Sequence, residues 1–85
     1  MSELSAAIAQ DFARLLTNAL STDKEPHELK GLVFKRSSEL ASEDTILIVE
    51  EIQMKLMALL GEAEMRALAD DDWRANLKEQ LSALL

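Results

Sequence analysis

The chain has 85 residues, of which 48% are hydrophobic and 29% are charged, and its formal net charge at pH 7 is −7. With two glycines and one proline, this composition excludes a disordered or low-complexity chain, and the length limits it to a single domain over residues 1 to 85. Because so small a domain buries only about 60% of the surface of its unfolded chain, we expect its stability alone to be marginal.

Several functional classes are excluded by residue content. The chain has no cysteine, so it has no disulfide, no thiol nucleophile and no thiolate zinc site. No stretch approaches the roughly 18 consecutive apolar residues of a membrane-spanning helix, and the beginning lacks the basic and apolar regions of a signal peptide. We therefore expect a cytoplasmic protein with no contact to a membrane.

The negative charge is concentrated in the middle of the chain. Residues 37 to 72 contain ten acidic and two basic side chains, whereas charges nearly balance on either side of this segment. Such a field repels nucleic-acid phosphates and can steer a basic protein partner towards the chain. The other interpretation is that these acids only keep a leucine-rich protein soluble.

The first predicted helix covers residues 3 to 20. Its apolar residues recur at helical spacing and share one broad face, whereas polar residues fill the opposite side. The apolar face consists of Leu4, Ile8, Ala9, Phe12, Ala13, Leu15, Leu16, Ala19 and Leu20. We expect this face to form part of the core.

A second helix is predicted from Pro26 to Ala41, after a polar connector over residues 21 to 25. Proline suits the first helical position because its φ is already set and its missing N–H is not needed there. The predicted apolar face consists of Leu29, Leu32, Val33, Leu40 and Ala41, with Phe34 at its edge.

The third predicted helix is apolar on two sides. Ser42 is expected to cap it, with Glu43 and Asp44 in its first turn, and it is expected to end near Leu60. One half of the helical wheel is formed by Ile46, Ile48, Val49, Ile52, Leu56, Met57, Leu59 and Leu60, and a second patch by Leu47, Met54 and Ala58. A helix of this kind is central to its fold, or it contacts a partner.

Two interpretations are open at Gly61. It can end the third helix in a left-handed cap, followed by a short helix over residues 62 to 69, or it can lie within one long helix. In the first case we expect three side chains of the short helix to face inward: Met65, Leu68 and Ala69.

The last predicted helix follows the acidic run of residues 70 to 72, which offers N-cap chemistry, and extends to Leu85. Its apolar stripe consists of Trp73, Leu77, Leu81 and Leu84, and we expect Trp73 to pack in the core.

Together the patterns predict an all-α fold, a small bundle of four to five helices that assembles as a homodimer.

The sequence offers little for catalysis or for a cofactor. His27 is the single histidine, and the two glycines stand too far apart to form a phosphate-binding loop. The run of residues 70 to 72 lacks the later glycine and glutamate of a calcium-binding EF-hand loop. We predict that the protein is not an enzyme and binds neither a metal nor a cofactor.

The leading functional hypothesis is a protein–protein interaction module, an adaptor, inhibitor or regulator that occludes or bridges a partner protein. The predicted partner or dimer interface is the second face of the third helix with its neighbours, Ile46, Leu47, Met54, Met57 and Ala58. The predicted acidic rim of this interface consists of Glu50, Glu51, Glu62 and Glu64.

The alternative hypothesis is a small dimeric transcriptional regulator that binds nucleic acid. The second predicted helix carries a basic cluster that could contact phosphates, namely Lys30, Lys35 and Arg36. The acidity of the adjoining third helix disfavours such binding.

Overall fold

The protein is an all-α bundle of four helices in a computed structural model, which describes residues 3 to 84, without the side chain of Leu84. The helices are α1 (Glu3–Leu20), α2 (Pro26–Leu40), α3 (Ile46–Ala67) and α4 (Trp73–Leu84). No strand occurs within this described range. The predicted all-α bundle is confirmed, and it has four helices. The expected position of Leu84 on the apolar stripe and the predicted end at Leu85 lie outside what is described.

Local hydrogen bonds set the boundary between α1 and α2. The hydroxyls of Ser21 and Thr22 donate to the carbonyls of Asn18 and Ala19, both at 2.6 Å, and so satisfy carbonyls at the end of α1. At the start of α2, the N–H of Glu25 donates to the carboxylate of Glu28 at 2.9 Å, which lowers the pKa of Glu28. Both helices therefore match their predicted extents closely.

The beginning of α3 lies later than the sequence indicated. Thr45 occupies the N-cap position, and Glu43 and Asp44 lie in the turn before the helix rather than in its first turn. The Thr45 hydroxyl donates to the carbonyl of Leu40 at 2.7 Å and lies 2.9 Å from the Ser42 hydroxyl. These bonds close the turn onto the end of α2, so the prediction that Ser42 caps α3 is wrong.

Gly61 lies inside α3, which continues to Ala67, so the long-helix interpretation is correct. No glycine has the positive φ that a left-handed cap requires. A glycine in a helix interior costs about 1 kcal/mol relative to alanine. Burying a leucine side chain contributes about 1.5 to 3 kcal/mol, and the buried Leu60 and Ala63 on either side of Gly61 anchor the helix through this point.

The core lies between all four helices. α1 and α3 each contact the other three helices, whereas α2 and α4 do not pack on each other. Trp73 is only 4% exposed, which confirms its predicted place in the core. Other large, fully buried side chains are Phe12, Leu16, Leu29, Leu56, Leu60, Leu77 and Leu81.

The start of α4 is attached to the connector between α1 and α2. The Arg74 guanidinium donates to the carbonyl of Lys24 at 2.9 Å and stacks 4.4 Å from the centre of the Trp73 ring. At the same helix end, a carboxylate oxygen of Asp70 accepts the N–H of Asp72 at 2.8 Å. The acidic run is thus occupied in shaping the turn that precedes α4.

Replacing Gly61 with alanine should raise the free energy of unfolding by about 0.5 to 1 kcal/mol, because Gly61 is an interior helical position. A Cβ atom built there meets nothing within 4 Å, and the same holds for Gly31 in α2. Urea denaturation of dilute protein measures the effect, with Gly31→Ala as the matched variant. A loss of stability in Gly61→Ala beside a gain in Gly31→Ala would contradict a continuous α3.

Candidate interaction site

α3 presents one face to the core and an opposite face to solvent. The inward face consists of Val49, Ile52, Leu56, Leu60 and Ala63, all buried. Half a turn away lies a second row, which we call the outer stripe: Leu47, Met54, Ala58, Gly61 and Met65. The three largest side chains of the outer stripe are well exposed, Leu47 at 76%, Met54 at 72% and Met65 at 70%.

The outer stripe is long enough to contact a partner helix along several turns. Leu47 and Met65 are eighteen residues apart, which corresponds to about 27 Å along a helix. Leu68 directly follows α3 and is 83% exposed, so the apolar surface continues past the helix end. Isolated exposed apolar side chains are common in small proteins, but a continuous row of them is typical of an interaction surface.

The predicted interface residues fall into two groups. Leu47, Met54 and Ala58 lie together on the outer stripe and are exposed. Ile46 lies at the edge of α3 with 40% of its surface exposed, and Met57 is half-buried against the core. The structure therefore brings three of the five predicted residues together and leaves the other two on the flank.

If Gly61 ended α3, we would expect Met65, Leu68 and Ala69 to face inward; in the continuous α3 of the structure all three are exposed. A helix break at Gly61 would have changed the direction of the residues that follow it. In a continuous helix, Met65 lies five full turns after Leu47 and so shares its face. Extending the helical wheel through Gly61 would have identified Met65 from the sequence.

Charged side chains line both edges of the outer stripe. At 100° per residue, Glu51, Lys55 and Glu62 lie along one edge, and Glu50 and Glu64 lie on the other side. Lys55 pairs with Glu51 at 3.5 Å within the helix, an exposed pair of small energetic value. Glu64 is half-buried and bonds to Lys30 of α2, so it is less available to a partner than Glu50 or Glu62.

A shallow groove between α3 and α4 joins the outer stripe at Ala58. Its volume is about 460 Å³, and its walls are formed by Lys55, Ala58, Leu59, Gln80 and Ala83. Small alanine side chains from both helices leave this space open. At Ala58 the outer stripe therefore borders a mainly apolar groove.

The basic residues of α2 are largely engaged within the bundle. Lys30 bonds to Glu64, and the Arg36 guanidinium donates twice to Asp11 of α1, with both distances 2.7 Å. This two-pronged pair raises the pKa of Arg36 and lowers that of Asp11. Of the three predicted nucleic-acid contacts, only Lys35 is exposed and, among the described residues, makes no ion pair.

Polar chemistry elsewhere is sparse. His27 lies exposed in the first turn of α2. Across the described chain, no three His, Asp or Glu side chains lie close enough to hold a metal ion. Helices in that same part of the chain are all too short or too polar to span a bilayer.

Comparison of the chain with models of protein families, with curated proteins and with solved structures finds no match.

Asp11→Asn should lower the free energy of unfolding at neutral pH by about 0.5 to 1 kcal/mol, because it removes the charge that Arg36 contacts. The folded-state pKa of Asp11 is lowered, so its contribution is complete above the unfolded pKa of about 3.9 and is lost as the pH falls through the folded pKa. Denaturant unfolding of both proteins at pH 7 and at about pH 2 measures this.

The matched control is Asp23→Asn, an exposed connector carboxylate without an ion pair among the residues described, which should change stability little. If the free energy of unfolding differed between Asp11→Asn and the parent by the same amount at both pH values, the assigned role of the Asp11–Arg36 pair would be contradicted.

Proposed function

We propose that this protein is a non-enzymatic interaction module that binds another protein chain on the outer stripe of α3 and associates as a homodimer. By covering or linking surfaces of a partner it would act as an adaptor, inhibitor or regulator. The observation that carries the proposal is the row of Leu47, Met54 and Met65, which is exposed along the full length of a helix whose other face is fully packed.

The exposure of this row is not a sign of incomplete folding. α3 already buries five side chains against the other three helices, and none of those helices is placed to cover its outer side. Removing the outer stripe from water requires another chain, and each buried CH₂ group would contribute about 0.8 kcal/mol. Burial of the outer stripe by another chain would therefore add a free energy that is large relative to the marginal stability expected of so small a domain.

The charges around the outer stripe support a selective contact. Glu50, Glu51 and Glu62 are exposed at its edges and would form the polar rim that surrounds the apolar centre of a typical interface. Rim charges contribute to the rate and specificity of association more than to its final strength. The acidic rim also keeps the free chain soluble.

Binding of a protein is better supported than catalysis or nucleic-acid binding. The lowered pKa values of Asp11 and Glu28 come from an ion pair and a helix cap, so neither carboxylate is tuned as a general acid at neutral pH. Lys30 and Arg36 are held by acidic partners within the bundle, which would have to be released before either residue could contact a phosphate.

Met54→Glu should abolish self-association while helicity is retained, because a carboxylate would be buried without a partner at the centre of the apolar contact. Met54 is 72% exposed in the single chain, so folding does not require it. We expect the dissociation constant of the dimer to rise at least about 100-fold. Sedimentation velocity measures the mass, and circular dichroism measures the helicity.

The matched control is Phe34→Glu, which changes an exposed apolar side chain on α2 and should leave the dimer intact. A Met54→Glu protein with the mass of the parent dimer would show that the outer stripe is not the contact. Loss of helicity in Met54→Glu would place this side chain in the core of the single chain and would also overturn the proposal.

A further inference from the structure

We infer that the occupant of the outer stripe is α3 of a second copy of this chain, packed in antiparallel orientation. The inference rests on the proposed function and names the partner and its geometry. Its basis is the order of apolar, small and charged residues along α3, which is complementary to the same order in a reversed second copy.

The spacing along α3 fits a helix as the occupant. Seven positions on this side of the chain recur at alternating steps of four and three residues, and all are exposed except the half-buried Gly61: Leu47, Glu51, Met54, Ala58, Gly61, Met65 and Leu68. Alternating steps of four and three residues are the repeat of a coiled coil. In a coiled coil, the side chains at these positions form a seam that faces a second, nearly aligned helix. Within this row of seven positions, large apolar residues occupy the two ends and small residues lie near the middle.

An antiparallel pairing places large residues opposite small ones near its centre and large apolar residues opposite each other at its ends. When Met54 of one copy faces Ala58 of the other, Leu47 faces Met65 at each end of the contact. The same register places Glu51 opposite Gly61, where a Cβ would have open space. The Glu51 carboxylate can pass over this glycine to solvent, so its charge need not be buried.

A parallel pairing in register is unfavourable at two of the same positions. Each seam residue would then face its own copy, which places Glu51 against Glu51 and Gly61 against Gly61. The first contact brings like charges together, and the second leaves a gap between the helices. Antiparallel helices also align their dipoles favourably, whereas parallel helices do not.

On one edge of the outer stripe, the antiparallel arrangement brings opposite charges together. Lys55 and Glu62 lie on the same edge of the outer stripe, and both are exposed. An antiparallel pair of helices brings these two equivalent edges together, so Lys55 of each copy faces Glu62 of the other. The twofold symmetry of a homodimer forms this ion pair twice.

Charge exchange tests the inference. At low ionic strength, Lys55→Glu and Glu62→Lys should each raise the dissociation constant of the dimer about tenfold, because each variant places like charges together twice. The double variant Lys55→Glu with Glu62→Lys should return to within about threefold of the parent, since it restores both pairs in reverse. An equimolar mixture of the two single variants should form a heterodimer of similar strength.

Sedimentation velocity of the full chain gives these constants, and Met54→Glu separates the inference from the proposed function. A parent dimer that Met54→Glu disrupts, but that charge exchange does not restore, would overturn the antiparallel arrangement and leave the proposed function standing. A parent chain that stays monomeric would overturn both the second copy as occupant and the homodimer.

Discussion

The structure depends on one constraint: α3 is apolar on two opposite faces, and three short helices can cover only one of them. Packing of α1, α2 and α4 on Val49, Ile52, Leu56 and Leu60 builds the core of the single chain. Covering the other face in the same way would need a further helix, and this chain of 85 residues has none among those described. The single chain therefore leaves the outer stripe of α3 exposed, and this exposure is the observation behind the proposed association.

Much of this architecture could be predicted from the sequence. Amphipathic spacing located α1 and α2, and it placed Trp73 in the core, because in these elements one face is clearly apolar and the other clearly polar. The sequence alone left two interpretations open at Gly61, because local helix propensity favours a break there, whereas the burial of Leu60 and Ala63 keeps the helix intact. That single difference changed the expected direction of Met65.

The charges show a second limit of reasoning from sequence. The acidic excess of residues 37 to 72 is visible from the sequence, but the partners of the basic residues are not. Arg36 meets Asp11 across 25 positions and Lys30 meets Glu64 across 34, and both contacts exist only after α1, α2 and α3 have packed. Tertiary pairing adds to the acidic composition in weakening the case for a nucleic-acid surface on α2.

The solution mass of the unaltered protein, measured by light scattering over a concentration series, tests the proposed homodimer most directly. We expect a mass that rises with concentration from that of one chain to that of two and then remains constant, because a twofold contact through the outer stripe closes on itself. A mass equal to one chain at every concentration would contradict it, since α3 would then leave its outer stripe in water without a second copy.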